Sequence, residues 1–121
     1  MPQMYEFAYN EVVEESPRLM RERERQAFDK VLKLLEAARE CGVGSREGIE
    51  AIYYLRKLWW ILLQDVQLPQ NELPQELRAG IISIGRWMIR EIDRIDLGKA
   101  DDLSPLIEIN EMIRDGLTGS P

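Results

Sequence analysis

The sequence predicts an all-α fold: a small bundle of three main helices plus a short C-terminal helix, with an N-terminal arm. Three observations predict it. Apolar residues recur at helical spacing in four separate stretches. Breakers fall between those stretches, at Gly42-Val43-Gly44, from Leu68-Pro69 to Leu73-Pro74, and at Leu97-Gly98-Lys99. The 121 residues suffice for one domain with one modest core, spanning 1–121, and 45% hydrophobic with 31% charged residues is ordinary for a soluble globular chain.

Residues 1–15 place Tyr5, Phe7 and Tyr9 at alternate positions. Such alternation reads as a short extended arm laid on something apolar, either the chain's own core or a partner. Ser16-Pro17 then starts the first helix, because serine satisfies an orphan N–H and proline at the first helical position loses nothing. That helix runs to about Cys41. Its second half lines up Phe28, Val31, Leu32, Leu35 and Ala38 on one face. Its first half, Arg21-Glu22-Arg23-Glu24-Arg25-Gln26, reads as solvated helix supported by i, i+4 pairs, or as a charged projection that docks on a partner.

Ser45 caps a second helix, placed at 46–67. Ile49, Ile52, Tyr53, Trp59, Trp60 and Leu63 share one of its faces. Ala51, Tyr54, Leu55, Leu58 and Leu62 cover much of the other, and Glu50, Lys57 and Gln64 mark a narrow wet seam. A helix apolar nearly all round is central, and any part its own chain leaves uncovered is a binding surface. Pro69 and Pro74 prevent continuation, and Pro74 opens a third helix at 74–97. Leu77, Ile81, Ile84, Met88, Ile92 and Ile95 form its apolar face, with Arg86, Arg90 and Arg94 opposite and Asp93 beside them. Ser104-Pro105 starts the last helix, which carries Leu106, Ile109, Ile113 and Leu117 on one side. Beyond Gly116, residues 117–121 read as a frayed tail.

Composition narrows the chemistry. The net charge of −6 argues against nucleic acid and anionic membrane surfaces as partners. With no histidine and one cysteine, Cys41, the chain lacks a histidine general base, a His-ligated metal site and a Cys/His pair. The lone cysteine fits a reducing cytoplasm. The start, Met1-Pro2-Gln3-Met4-Tyr5-Glu6, has neither the basic nor the apolar region of a secretory signal, and no apolar run is long enough to span a bilayer. Glu14-Glu15 and Asp101-Asp102 are carboxylate pairs without a histidine or second cysteine to make a metal site, and each precedes a helix start, where the macrodipole favours negative charge. Gly42-Val43-Gly44-Ser45 lacks the phosphate-loop lysine and a preceding strand, so it reads as a helix–helix turn. No catalytic residue, metal or cofactor is expected, and the chain is not expected to be an enzyme.

The candidates for partner contact come from interruptions of the apolar pattern. Arg56 lies between Tyr53 and Trp60, Glu91 beside Trp87 and Met88, and Asn110 between Leu106 and Ile113. A charge at such a position is rarely buried unpaired, because desolvation costs several kcal/mol per ion as an order of magnitude. Arg56 is therefore expected to pair with a carboxylate of another helix, Glu91 first, or else to reach the rim along its aliphatic stem. Trp59 and Trp87 read as core; Trp60 reads equally as core or as contact surface. Arg86, Arg90 and Arg94 read as a solvated face, with an acidic protein partner next and RNA after that. The partner-binding candidates are Tyr53, Arg56, Trp60, Glu91, Arg86 and Arg90.

From about Tyr5 to Leu117 the chain resembles the alphaproteobacterial flagellar biosynthesis regulator family, FlaF. The likeness is carried by Tyr9 ahead of Ser16-Pro17, by Arg21-Glu22-Arg23-Glu24, and by Arg56 with Leu58-Trp59. It continues through Leu73-Pro74, Leu77-Arg78-Ala79, Ile82-Ser83-Ile84-Gly85 with Trp87, and Ile107-Glu108-Ile109-Asn110. The doubled Trp59-Trp60 and the Thr118–Pro121 tail depart from the pattern. The resemblance implies a cytoplasmic, non-enzymatic factor that associates with flagellin before export and acts with the FlbT protein to control flagellin synthesis. Flagellin's ends are amphipathic helices prone to self-assembly, so an apolar groove on the bundle would receive one of them. Two other readings stay open: direct contact with flagellin mRNA through Arg86, Arg90 and Arg94, and an adaptor that holds only FlbT. The family has no established catalytic residues, so none is carried over.

Overall fold

Four helices form where the apolar periodicity places them: α1 (Pro17–Cys41), α2 (Arg46–Val66), α3 (Gln75–Asp96) and α4 (Ser104–Gly119). The structure, a computed structural model, describes residues 17–119, with side chains over 22–116. The expected N-terminal arm and Ser16 lie outside the described residues. The tail expected over 117–121 overlaps the end of α4, which runs to Gly119.

The helix ends follow local chemistry. The Ser45 hydroxyl accepts from the Gly48 N–H at 3.0 Å and so caps α2. Gly48 is buried under the preceding turn, and a Cβ there would meet the Val43 carbonyl oxygen at 2.2 Å. At the end of α3, the Lys99 N–H bonds the Arg94 carbonyl at 2.8 Å and the Gly98 N–H bonds the Ile95 carbonyl at 3.0 Å. These are the two bonds of a Schellman motif, with Gly98 in the left-handed conformation at φ 73°. Between α2 and α3 the Asn71 side chain stitches the turn, donating to the Asp65 carbonyl at 3.2 Å and accepting from the Leu73 N–H at 3.0 Å.

One cap differs from expectation. Ser104 is the first residue of α4, and the carboxylate ahead of it, Asp102, accepts the Ser104 N–H at 3.0 Å. The aspartate does the work assigned to the serine, and hydrogen bonds from the Ser104 backbone and then its hydroxyl hold the Asp102 carboxyl below the usual range.

α1 packs on α2 and α4, and α2 packs on α3. The core draws on all four helices: Phe28, Leu32, Leu35 and Ala38 from α1, Ala51, Leu55 and Trp59 from α2, Met88 and Ile92 from α3, and Leu106 and Ile107 from α4, with Leu103 from the loop just ahead of it. Phe28 meets Trp59 edge to face, with ring centroids 6.1 Å apart. Among the described side chains of α1, Phe28 is the first buried apolar residue, and the charged turns of residues 22–26 ahead of it are exposed or half-buried.

α2 divides its apolar surface differently from the expected two faces. Ile52 and Trp59 join Ala51 and Leu55 in the core, whereas Ile49, Tyr53 and Trp60 are 65%, 59% and 59% exposed. The buried stripe centres on Leu55 and Trp59. The second stripe lies about a third of a turn away, outside the cover that α1 and α3 provide. Trp87, expected as core, is partly buried at its edge, as are Ile81 and Ile84.

Candidate functional site

The uncovered stripe of α2 and the neighbouring flank of α3 enclose an open groove of about 860 Å³. From α2 it takes Tyr53, Arg56, Lys57, Trp60 and Leu63; from α3, Arg86, Ile89 and Arg90. On α2 the spacing Tyr53, Arg56, Trp60, Leu63 is three, four and three residues, which keeps all four on one side of the helix. Gly85 is buried where the two helices approach, and a Cβ there would sit 2.5 Å from Leu63 Cδ2. The glycine lets α3 close against Leu63 and so forms the floor of the groove.

Ion pairs and ring contacts hold the walls. Arg56 bridges α2 to α3, donating from Nη1 to Asp93 at 2.8 Å and from Nη2 to Asp96. The hydrogen bond to Asp93, with the Asp96 pair behind it, raises the guanidinium above its ordinary value despite partial desolvation. Tyr53 stands edge to face with Tyr54 at 5.2 Å, and Lys30 of α1 lies 4.5 Å over the Tyr54 ring.

The expected pairing of Arg56 with Glu91 is therefore corrected. Glu91 is bound to Arg94 within α3 at 3.1 Å. Two residues turn a helix by roughly 200°, so Glu91 flanks the Met88–Ile92 core face on one side and Asp93 on the other. α2 lies on the Asp93 side. The same geometry divides the arginine stripe: Arg86 and Arg90 line the groove, and Arg94 does not.

Five of the six partner-binding candidates thus fall together in the groove: Tyr53, Arg56, Trp60, Arg86 and Arg90. Glu91 lies outside it. Sequence reasoning passed over Lys57, Leu63 and Ile89 as groove residues. Lys57 was visible only as a seam residue, and nothing in the pattern showed how far α3 covers α2.

The groove offers aromatic and aliphatic area with a cationic rim on a chain of net charge −6. Among the described residues, Lys57, Arg86 and Arg90 take part in no ion pair. Nor do the described residues gather three or more histidine, cysteine, aspartate or glutamate side chains that could hold a metal. No described helix is long and apolar enough to cross a membrane. Asn110, the third interruption of the pattern, belongs to the core: it is fully buried and accepts from Trp59 Nε1 at 2.9 Å.

Among curated proteins and among solved structures, no match to the chain is found. The family described as flagellar protein FlaF matches residues 5–117, nearly the whole chain, and the protein belongs to the FlaF family.

Proposed function

We propose that this FlaF family member is a non-enzymatic regulator of flagellin biosynthesis that binds flagellin in the cytoplasm in a chaperone-like way and acts with FlbT. The observation that supports it most is the open α2–α3 groove, where Tyr53 and Trp60 stand 59% exposed over Leu63 and Ile89. Contiguous aromatic area of this kind on a small domain marks an interaction site. A groove between two helices suits an amphipathic helix laid along it with its apolar ridge inward. Occupied in that way, it would shield a flagellin segment from self-assembly until export.

Co-purification of flagellin and of FlbT with the wild-type protein and with Trp60→Ala tests the reading. Flagellin should be captured by the wild type. Trp60→Ala should weaken capture on the order of 30-fold, as for loss of an interface anchor worth about 2 kcal/mol. Its circular dichroism and melting temperature should stay unchanged. No capture by the wild type, or undiminished capture by Trp60→Ala, refutes the groove reading. Capture of FlbT without flagellin identifies an adaptor instead. Salt-dependent binding of flagellin mRNA, lost on reversing Arg86, Arg90 and Arg94 together, identifies the RNA reading.

A further inference from the structure

The chain carries a segment with chemistry complementary to the groove. Residues 1–16 hold Glu6, Glu11, Glu14 and Glu15 and neither lysine nor arginine, so they carry four of the chain's 22 acidic residues and none of its 16 basic ones. They also hold Tyr5, Phe7 and Tyr9, then Val12-Val13. Apolar side chains beside carboxylates are what an apolar groove rimmed by Lys57, Arg86 and Arg90 would accept. The family match begins at residue 5, so most of this segment belongs to the domain that the family shares.

Reach permits it. α1 runs antiparallel to α2, since they are joined by the short turn at Gly42–Ser45 and Phe28 meets Trp59. Pro17 therefore starts roughly 16 Å of helix ahead of Phe28, just past the end of α2 that Trp60 and Leu63 lead towards. Sixteen residues of chain can span up to roughly 50 Å.

We propose that residues 5–16 seat in the α2–α3 groove of their own chain, and that a partner segment must displace them. The proposal rests on the reading of the groove as the partner's docking site. A tethered segment faces its groove at an effective concentration on the order of millimolar, so even a weak contact fills it. A partner's apparent affinity then falls by the fraction of grooves left open, and segments lacking a matching ridge and carboxylates are excluded.

Fluorine NMR on the full chain labelled with 5-fluorotryptophan tests this. Cys41, exposed and the sole cysteine, is replaced by serine, and Ala8→Cys carries a nitroxide. The Trp60 resonance is assigned with Trp60→Phe. The expected result is loss of the Trp60 signal with the oxidised label and its return on reduction. Arg86→Glu with Arg90→Glu should restore the signal without reducing the label. A Trp60 signal equally strong with oxidised and reduced label overturns the proposal. So does broadening that survives the double charge reversal, or broadening that grows with protein concentration, which assigns the segment to a second copy. Added flagellin separates the two readings. Broadening that flagellin cannot relieve keeps the segment in the groove and sinks flagellin as partner. A Trp60 signal that flagellin shifts, with no broadening beforehand, keeps flagellin and sinks the segment.

Discussion

Trp59 Nε1 donates to Asn110 Oδ1 at 2.9 Å, and both side chains are fully buried. Asn110 completes its bonding by donating to the Leu106 carbonyl at 2.6 Å and to Met88 Sδ at 3.7 Å. One residue thus ties α4 to α2 and α3 at the centre of the core. Asn110→Leu strands the indole N–H away from water, which should cost about 1–3 kcal/mol. Trp59→Phe strands the Asn110 oxygen and leaves a void besides. The double variant removes both orphans, so it should lose less than the sum of the singles. Urea unfolding of the four proteins gives the coupling, and strict additivity would show that the bond contributes nothing.

The Arg56 clamp makes a smaller demand on stability. Arg56, Asp93 and Asp96 have side chains 38%, 53% and 51% exposed, so water and salt screen both pairs. Arg56→Met should lower stability by about 1 kcal/mol or less at low salt, and the difference should shrink as salt rises. Its guanidinium is raised above an ordinary value that is already far above neutral, so the guanidinium's own titration leaves this contribution in place across the neutral range and removes it as pH rises into strong alkali. Urea midpoints for wild type and variant at low and high ionic strength check it. A loss independent of salt would mean that the aliphatic stem, not the charge, is what matters.

How much of this was legible follows from how saturated each pattern is. The turns at Gly42–Ser45 and Leu97–Lys99 were readable because few residue types satisfy an exposed helix end. Phe28, Leu32 and Leu35 were readable because α1 is apolar on one stripe only. α2 was harder. A helix apolar nearly all round gives little angular contrast: Trp59 read as core, which its full burial bears out, but Trp60 read evenly and Ile52 shared a face with the exposed Tyr53 until the place of α3 was known. The Arg56 partner failed for a related reason: proximity on a wheel does not say which flank of α3 meets α2. The groove residues were flagged singly, as breaks in a rule. That Arg86 and Arg90 meet Tyr53 and Trp60 is a tertiary fact.

The α4 cap predicts a pH response. The Ser104 hydrogen bonds hold Asp102 below the usual carboxylate range. A carboxyl with a lowered folded value stabilises the fold above its unfolded value and loses that contribution as pH falls through the folded one. The capping effect should therefore be complete at neutral pH and vanish in acid below the ordinary aspartate range. Asp102→Asn keeps an acceptor and should behave like the wild type at neutral pH, with a flatter acid limb. Asp102→Ala should melt lower at neutral pH and converge with the wild type in acid. Melting temperatures across the acid limb measure both, and parallel curves for wild type and Asp102→Ala would contradict the assignment.

Gly85 links the packing of the fold to the shape of the groove. A methyl group there would lie 2.5 Å from Leu63 Cδ2 and 2.9 Å from Leu63 Cγ, too close for either to stay. Leu63 is only partly buried and has open groove on its far side, so it can turn outward where a core residue could not. Alanine in a helix interior is favoured over glycine by about 1 kcal/mol, which offsets part of the cost of moving Leu63. Gly85→Ala should therefore change stability by no more than about 1 kcal/mol in either direction. It should also fill the floor between Trp60 and Ile89 and weaken flagellin capture. Gly85→Ala combined with Leu63→Ala removes the displaced side chain and should recover capture. Urea unfolding and flagellin titration on the two variants separate the effects. Full capture by Gly85→Ala alone would mean that Leu63 finds room elsewhere and the groove floor is not set by this glycine.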